Sequence, residues 1–271
     1  MTSERAAAAA GAGTIARADS SDLFVSDLHL APERPAINRA FSAFLHAEAM
    51  QARSLYILGD LFDYWIGDDD LDEPFHATIV AELAAVSGSG CSIYLMHGNR
   101  DFLLGKRFAT SARAELLPDP SVIVQGGTRT LLLHGDTLCI DDPDYQAFRA
   151  RVRTESWQHD FNAKPLAERR TMALKLRADS RSSQQAKADE IMDVATRAVA
   201  DAFRRHNARR MIHGHTHRPA RHEHVVDGKI CERWVLADWY NTGSFLRCDA
   251  RGTCESVALA GLPPSRPSNN G

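Results

Sequence analysis

Five short polar strings, each placed just after an apolar stretch, constrain this chain more than any other feature. They are Asp27-Leu28-His29, Gly59-Asp60-Leu61-Phe62-Asp63, Gly98-Asn99-Arg100-Asp101, His134-Gly135-Asp136 and Gly214-His215-Thr216-His217. The apolar stretches Leu23 to Ser26, Ser54 to Leu58, Ser92 to Met96, Arg129 to Leu133 and Arg210 to His213 read as strands. One strand end offers only one or two ligands. The strings act together only if their strands lie side by side and end on a common edge. Carboxylates, imidazoles and one amide oxygen make a mixed O/N donor set, suited to Mn²⁺, Fe²⁺ or Zn²⁺ rather than to a soft thiolate metal. Two such ions close together are the usual apparatus for displacement at phosphorus.

Helical periodicity fills the intervals. In Pro35 to Ala52 the residues Ile37, Phe41, Phe44 and Leu45 share a face, and Pro74 to Val86 forms a second helix. Strands alternating with helices predict an α/β fold, most simply two packed sheets flanked by helices. Residues 141 to about 206 lack strand character, and periodicity over Leu166 to Arg177 and Gln184 to Phe203 predicts a helical insertion lying over the site. Beyond it, Arg221–Val226, Lys229–Leu236 and Gly243–Asp249 read as antiparallel strands, with Asp227-Gly228 as a hairpin turn. The domain is expected over residues 21–261, with loose tails at 1–20 and 262–271.

A net charge of −3 over 271 residues argues against a general nucleic-acid binder. No run approaches the roughly 20 apolar residues of a membrane span, and the N-terminal Ala/Gly tract lacks the Leu/Val-rich stretch of a signal peptide. The five cysteines (Cys91, Cys139, Cys231, Cys248 and Cys254) include no C-x-x-C pair, which points to a reducing cytoplasm. Cys139 is read as a structural thiol.

A two-ion site needs a bridging ligand, and a carboxylate serves because its two oxygens can meet two cations. Asp60 is the choice, since Gly59 before it permits a tight turn. Asp27 and His29, like His215 and His217, are two apart, so on extended backbone they point the same way. One ion is assigned to Asp27, His29, Asp60 and His217, the other to Asp60, Asn99, His134 and His215. Several ligands are neutral, so the site keeps positive charge and favours an anionic substrate. Asp63 and Asp136 are expected to orient an imidazole or an amide, and Asp101 to fix the loop after Asn99. His213 and His97 are read as packed or supporting residues, His222 and His224 as surface strand residues, and Asp68-Asp69-Asp70 as a solvated loop.

From about Leu23 to Phe245 this series resembles the calcineurin-like metallophosphoesterases, which implies an αββα two-sheet sandwich. Most of that superfamily has His after the Asn; here it is Arg100. With Asp60 to Gly67 and Ile212 to Pro219, this narrows the resemblance to the UDP-2,3-diacylglucosamine diphosphatases of lipid A biosynthesis. The resemblance implies a nucleotide-sugar lipid substrate, two Mn²⁺ ions and peripheral work at the cytoplasmic face of the inner membrane. It makes Asp60, Asn99 and Arg100 the catalytic group. A histidine at position 100 would protonate an alkoxide; arginine cannot, and a phosphate leaving group does not need it. Arg100 is instead expected to clamp phosphate oxygens during attack of hydroxide on the uridine-side phosphorus.

The family's helical lid binds sugar and acyl chains. Ser180, Gln184 and Lys187 share a helix face with Arg177, and Gln184 stands where the family pattern has Asn. With Asp142, Asn99, Arg100 and His215 they are the implied substrate contacts. Trp157, Phe161, Leu166, Met172, Leu174 and Leu176 either enclose acyl chains or pack helices. Arg149, Arg151, Arg153, Lys164, Arg169 and Arg170 either meet anionic headgroups or form a solvated face. A monomer with its own lid suffices. The open alternatives are a phosphoesterase for another nucleotide or pyrophosphate, and a binding module without metal.

Overall fold

The computed structural model describes residues 21–186, 193–240 and 243–259, with the side chains of 178–186 outside the described part. Strands β1 (Asp22–Val25), β2 (Ser54–Leu58), β3 (Ser92–Met96) and β4 (Ala114–Leu117) run parallel. They are joined by helices α1 (Pro35–Phe44), α2 (Pro74–Gly88) and α3 (Lys106–Ser111). Proline opens both α1 and α2, where its missing N–H has no helical partner to lose. The second sheet takes β5 (Ser121–Gln125), β6 (Thr128–Leu132), β7 (Arg210–His213), β8 (Ala220–Val226) and β9 (Lys229–Val235), in the order β5-β6-β7-β9-β8.

Alternation along the strands sets the layers. On β1, Leu23 and Val25 face the helices with Ile37, Phe41 and Leu83, whereas Phe24 joins Tyr56, Leu132 and Ile212 between the sheets. Leu131, Leu133 and Met211 cover the outside of the second sheet with Val199 and Phe203. This is the expected αββα sandwich.

The structure departs from the sequence reading in three places. Gly243–Asp249 does not pair with the preceding hairpin: as β10 (Ser244–Cys248) it lies antiparallel to β1 in the first sheet, followed by β11 (Cys254–Ala258). Alternation identifies a strand but not its partner, and β10 fills the open edge of β1 with Leu246 turned between the sheets. Helix α7 (Thr196–His206) starts well after Gln184 and packs on the second sheet, so it belongs to the sandwich. Cys248 and Cys254, cross-strand neighbours in the β10–β11 hairpin, are joined as a disulfide; Cys91, Cys139 and Cys231 are buried elsewhere. A sequence spacing of six gave no sign of that register.

The insertion consists of α4 (Pro143–Val152), α5 (Glu155–Asn162) and α6 (Leu166–Ala186). Its arginines are tied down rather than solvated. Arg149 Nε donates to Asp136 at 2.7 Å, Arg153 to the Gly98 carbonyl at 2.7 Å, and Arg170 to Asp70 at 2.9 Å. Arg169, 2% exposed, holds Asp69 and the Ile66 carbonyl, and Arg177 pairs with Asp63. Lys164 pairs with Glu168 at 2.7 Å, leaving Arg151 exposed over the Phe148 ring. These partners tie Arg149, Arg153, Arg169 and Arg170 to the sandwich, while Lys164 pairs within its own helix region on the surface. They also correct the solvated reading of Asp68-Asp69-Asp70. Asp68 accepts from the backbone of Gly105 at 2.9 Å and Phe108 at 3.0 Å, while Asp69 and Asp70 anchor α6.

Candidate metal centre

β1, β2, β3, β6 and β7 all end on one edge of the sandwich, the usual place for a ligand in α/β sheets. Each is followed by one of the polar strings. The loops are fastened to one another: Asp27 N donates to Gly59 O at 3.1 Å, His29 N to Asp60 O at 2.9 Å and Gly214 N to His134 O at 2.8 Å. Close approach also requires glycine. A Cβ at Gly214 would lie 2.1 Å from Asp27 Oδ2, and one at Gly98 2.0 Å from Asp60 Oδ1. Among the described residues, eight non-glycine positions have positive φ, and five of them are candidate ligands: Asp27, His29, Asp60, His215 and His217. Left-handed backbone at non-glycine residues is uncommon and concentrates at functional sites.

All seven predicted ligands meet here. His217 Nε2 lies 3.3 Å from Asp27 Oδ1 and 3.4 Å from His29 Nε2, and His29 Nδ1 lies 3.8 Å from Asp60 Oδ2. On the other side, His134 Nε2 lies 3.9 Å from Asp60 Oδ1, and Asn99 Oδ1 is 2.9 Å from His134 Nε2 and 3.0 Å from His215 Nδ1. Asp60 thus stands between two groups of donors. Its neighbours Asp27, His29 and His134 are all nearly fully buried. The His134 Nδ1 sits 2.9 Å from the Leu58 carbonyl, which fixes the proton there and leaves Nε2 as the donor atom. Asp27 Oδ1 and His29 Nδ1 are buried without a hydrogen-bond partner. Such orphaned atoms, in a cluster of carboxylates and imidazoles, fit cations.

Charge in the metal-free cluster tells the same story. Burial, with Asp101 and Asp27 nearby, pushes the Asp60 carboxyl up to about 7 against the pull of His134. Burial opposes protonation of His134, but Asp60, Asp27 and Asp136 outweigh it and raise the ring to about 9. Burial and His134 push His215 down to about 4. A proton on His134 occupies the place of a cation, and a ligating imidazole must lose it. Metal loading at pH 7 is therefore expected to release protons, and affinity to fall as the pH drops below about 9. Titration calorimetry in two buffers of different ionisation enthalpy reads the release. Heats that do not depend on the buffer would contradict the assignment of His134 as a ligand.

The supporting acids differ from expectation. Asp63 pairs with Arg34 at 3.6 Å and with Arg177, and Asp136 takes the Tyr145 hydroxyl and Arg149 Nε, each at 2.7 Å. Neither orients an imidazole or an amide; both hold lid helices, because the lid brings cations within their reach. Asp101, fully buried, accepts from the backbone of Gly98 and Leu61 at 2.8 Å and of Asp60 at 3.3 Å. It ties the Asp60 loop to the Asn99 loop. His213 Nδ1 donates to Gly214 O at 2.9 Å and its Nε2 accepts from Arg233 at 3.1 Å, a packed role, and His97 Nε2 donates to Leu104 O at 2.7 Å.

A cavity of about 700 Å³ opens over the cluster. Its wall includes Asn99, Arg100, His215 and Asp142, together with Phe102, Leu103, Trp157, Phe161 and Leu176. Leu166 and Met172 pack on the main core instead, and Leu174 is exposed. Among the described residues no carboxylate pairs with Arg100, whose Nε is buried without a partner. Asp142 caps α4, accepting from Tyr145 N at 3.1 Å. Lys187 and the side chains of Ser180 and Gln184 lie outside the described residues. The sequence reading missed Tyr145, Tyr240 and Arg34. Tyr240 stacks on His29 with ring centroids 4.8 Å apart, beneath the Arg34 guanidinium at 4.3 Å. They belong to no string, and spacing alone carried no signal for them.

Comparison with known proteins agrees with this geometry. The calcineurin-like phosphoesterase family profile matches residues 23–219. The chain belongs to that family. The family implies divalent metal ions, and the cluster offers residues to hold them. Among curated proteins, the UDP-2,3-diacylglucosamine hydrolase of Aromatoleum aromaticum is 51% identical over 232 residues, covering 86% of this chain and 94% of the relative. The enzyme of that name from Photorhabdus laumondii is 49% identical over 241 residues, covering 89% and 98%. The same figures hold for the enzyme of that name from Escherichia coli O81. Among the described residues, no helix is long and apolar enough to cross a membrane.

Proposed function

We propose that this chain hydrolyses the pyrophosphate bond of UDP-2,3-diacylglucosamine, giving UMP and 2,3-diacylglucosamine 1-phosphate (lipid X) in lipid A biosynthesis. The observation that carries the substrate is the near 50% identity, over most of both chains, to proteins named for that hydrolysis. The cavity supports it, with phosphate-binding groups and an apolar wall both in its lining, as a lipid-linked diphosphate requires.

Two cations are assigned, one to Asp27, His29, Asp60 and His217 and the other to Asp60, Asn99, His134 and His215. Mn²⁺ is the choice on the mixed O/N donors. When bound, such a pair activates water at neutral pH and neutralises phosphate charge. Asp60 would belong to both ligand sets, and Asp101 fixes its loop. Arg100, beside Asn99 and without a carboxylate partner among the described residues, clamps the phosphate oxygens as charge builds at phosphorus, and gives up no proton. The departing lipid phosphate is stable as an anion, so no side chain need protonate it. Asp142, Ser180, Gln184 and Lys187 are the proposed sugar contacts. The protein is proposed to act as a monomer, peripherally at the cytoplasmic face of the inner membrane, and not on nucleic acid.

The test is turnover of UDP-2,3-diacylglucosamine by the Mn²⁺-loaded chain, with products identified by mass spectrometry. UMP plus lipid X, lost on chelation, is expected. Cleavage of other nucleotides or pyrophosphates in preference would move the substrate while keeping the family chemistry.

A further inference from the structure

We propose that Tyr240, held by Arg34, forms the wall against which the nucleoside half of the substrate lies. The inference rests on the hydrolase reading above, which puts the uridine-bearing phosphorus at the ions. The cavity is lined by two unlike sets of residues. Towards the lid, Phe102, Leu103, Trp157, Phe161 and Leu176 make an apolar wall suited to acyl chains. Helix α4 of the lid reaches the ligands on the His215 side: Tyr145 lies 5.9 Å from the His215 ring, and Arg153 at its C-terminal end holds the Gly98 carbonyl. A leaving group drawn into the lid departs past His215.

The other substituent on phosphorus then lies across His29 and His217. These rings are covered by Tyr240, at 4.8 Å and 5.5 Å between centroids. Tyr240 lines the cavity. Arg34 lies over its ring at 4.3 Å, and is itself fixed by Asp63 at 3.6 Å and by the His29 carbonyl at 3.4 Å. With one ring face on His29 and the other under Arg34, Tyr240 offers the cavity its edge and its hydroxyl. That suits an acceptor-rich base and its ribose, and does nothing for an acyl chain.

The test compares product inhibition of the metal-loaded full chain by UMP and by lipid X, in wild type, Tyr240→Ala and Arg34→Ala. UMP is expected to weaken about tenfold in Tyr240→Ala, the scale of one hydrogen bond, with lipid X unchanged and Arg34→Ala smaller in the same direction. Equal weakening of both products, or unchanged UMP, would overturn the assignment. If Tyr240→Ala sheds metal, Tyr240→Leu keeps a side chain over His29 and decides on the same readings. A wild-type chain that ignores the lipid substrate but cleaves another nucleotide pyrophosphate would sink the substrate reading alone. Its nucleoside monophosphate product would then replace UMP in the comparison.

Discussion

Asp60→Ala is expected to strip the centre of both ions and lower turnover by at least about 10³-fold. Asp60 faces donors on both sides: His29 Nδ1 is 3.8 Å from one carboxylate oxygen and His134 Nε2 is 3.9 Å from the other. Alanine on the left-handed backbone at this position, where φ is 55°, also strains the loop. Asp60→Asn separates the two effects, because asparagine tolerates that backbone and only the charge is lost. It is expected to melt near the wild-type temperature and yet bind fewer than two ions after gel filtration, read by plasma mass spectrometry. Two ions per chain and near-normal turnover in either variant would remove Asp60 from the bridging role.

Arg100→Ala is expected to cost about 10²- to 10³-fold in turnover, the scale of one donor aimed at developing charge, with metal content unchanged. Arg100 follows a ligand but is not one, and its backbone N–H, which donates to Asp60 Oδ1 at 2.8 Å, survives the substitution. The loop should therefore hold. Arg100→Lys should recover little, since a point charge cannot reproduce a planar fork on phosphate. Loss of metal together with activity would make Arg100 a structural residue and end the clamp reading.

The parts of this molecule legible in its sequence are those whose partner is implied by chemistry. Aspartate and histidine two apart after an apolar strand announce a ligand pair, and five such strings demand a common edge. Strand partners were not legible where alternation was the only signal, as for β10. Nor was the lid's attachment. Asp63, Asp69 and Asp70 looked like orienting or solvated acids because Arg177, Arg169 and Arg170 stand about a hundred residues away in the chain. Asp101 was underread because its partners are backbone N–H groups, which no side-chain pattern reveals.

The left-handed backbone beneath the ligands bears on how this centre can evolve. Aspartate, asparagine and histidine adopt that conformation more readily than other side chains, and the five ligands with φ between 48° and 69° are all Asp or His. A drift from Asp to Glu or from His to Cys would change metal preference, but it meets a backbone cost of roughly 1–2 kcal/mol at each position first. Exchange within the Asp, Asn and His alphabet is comparatively free. Lineages descending from this chain would therefore retune the metal through neighbours of the ligands, and a thiolate-rich centre would require the strand-end loops to be rebuilt.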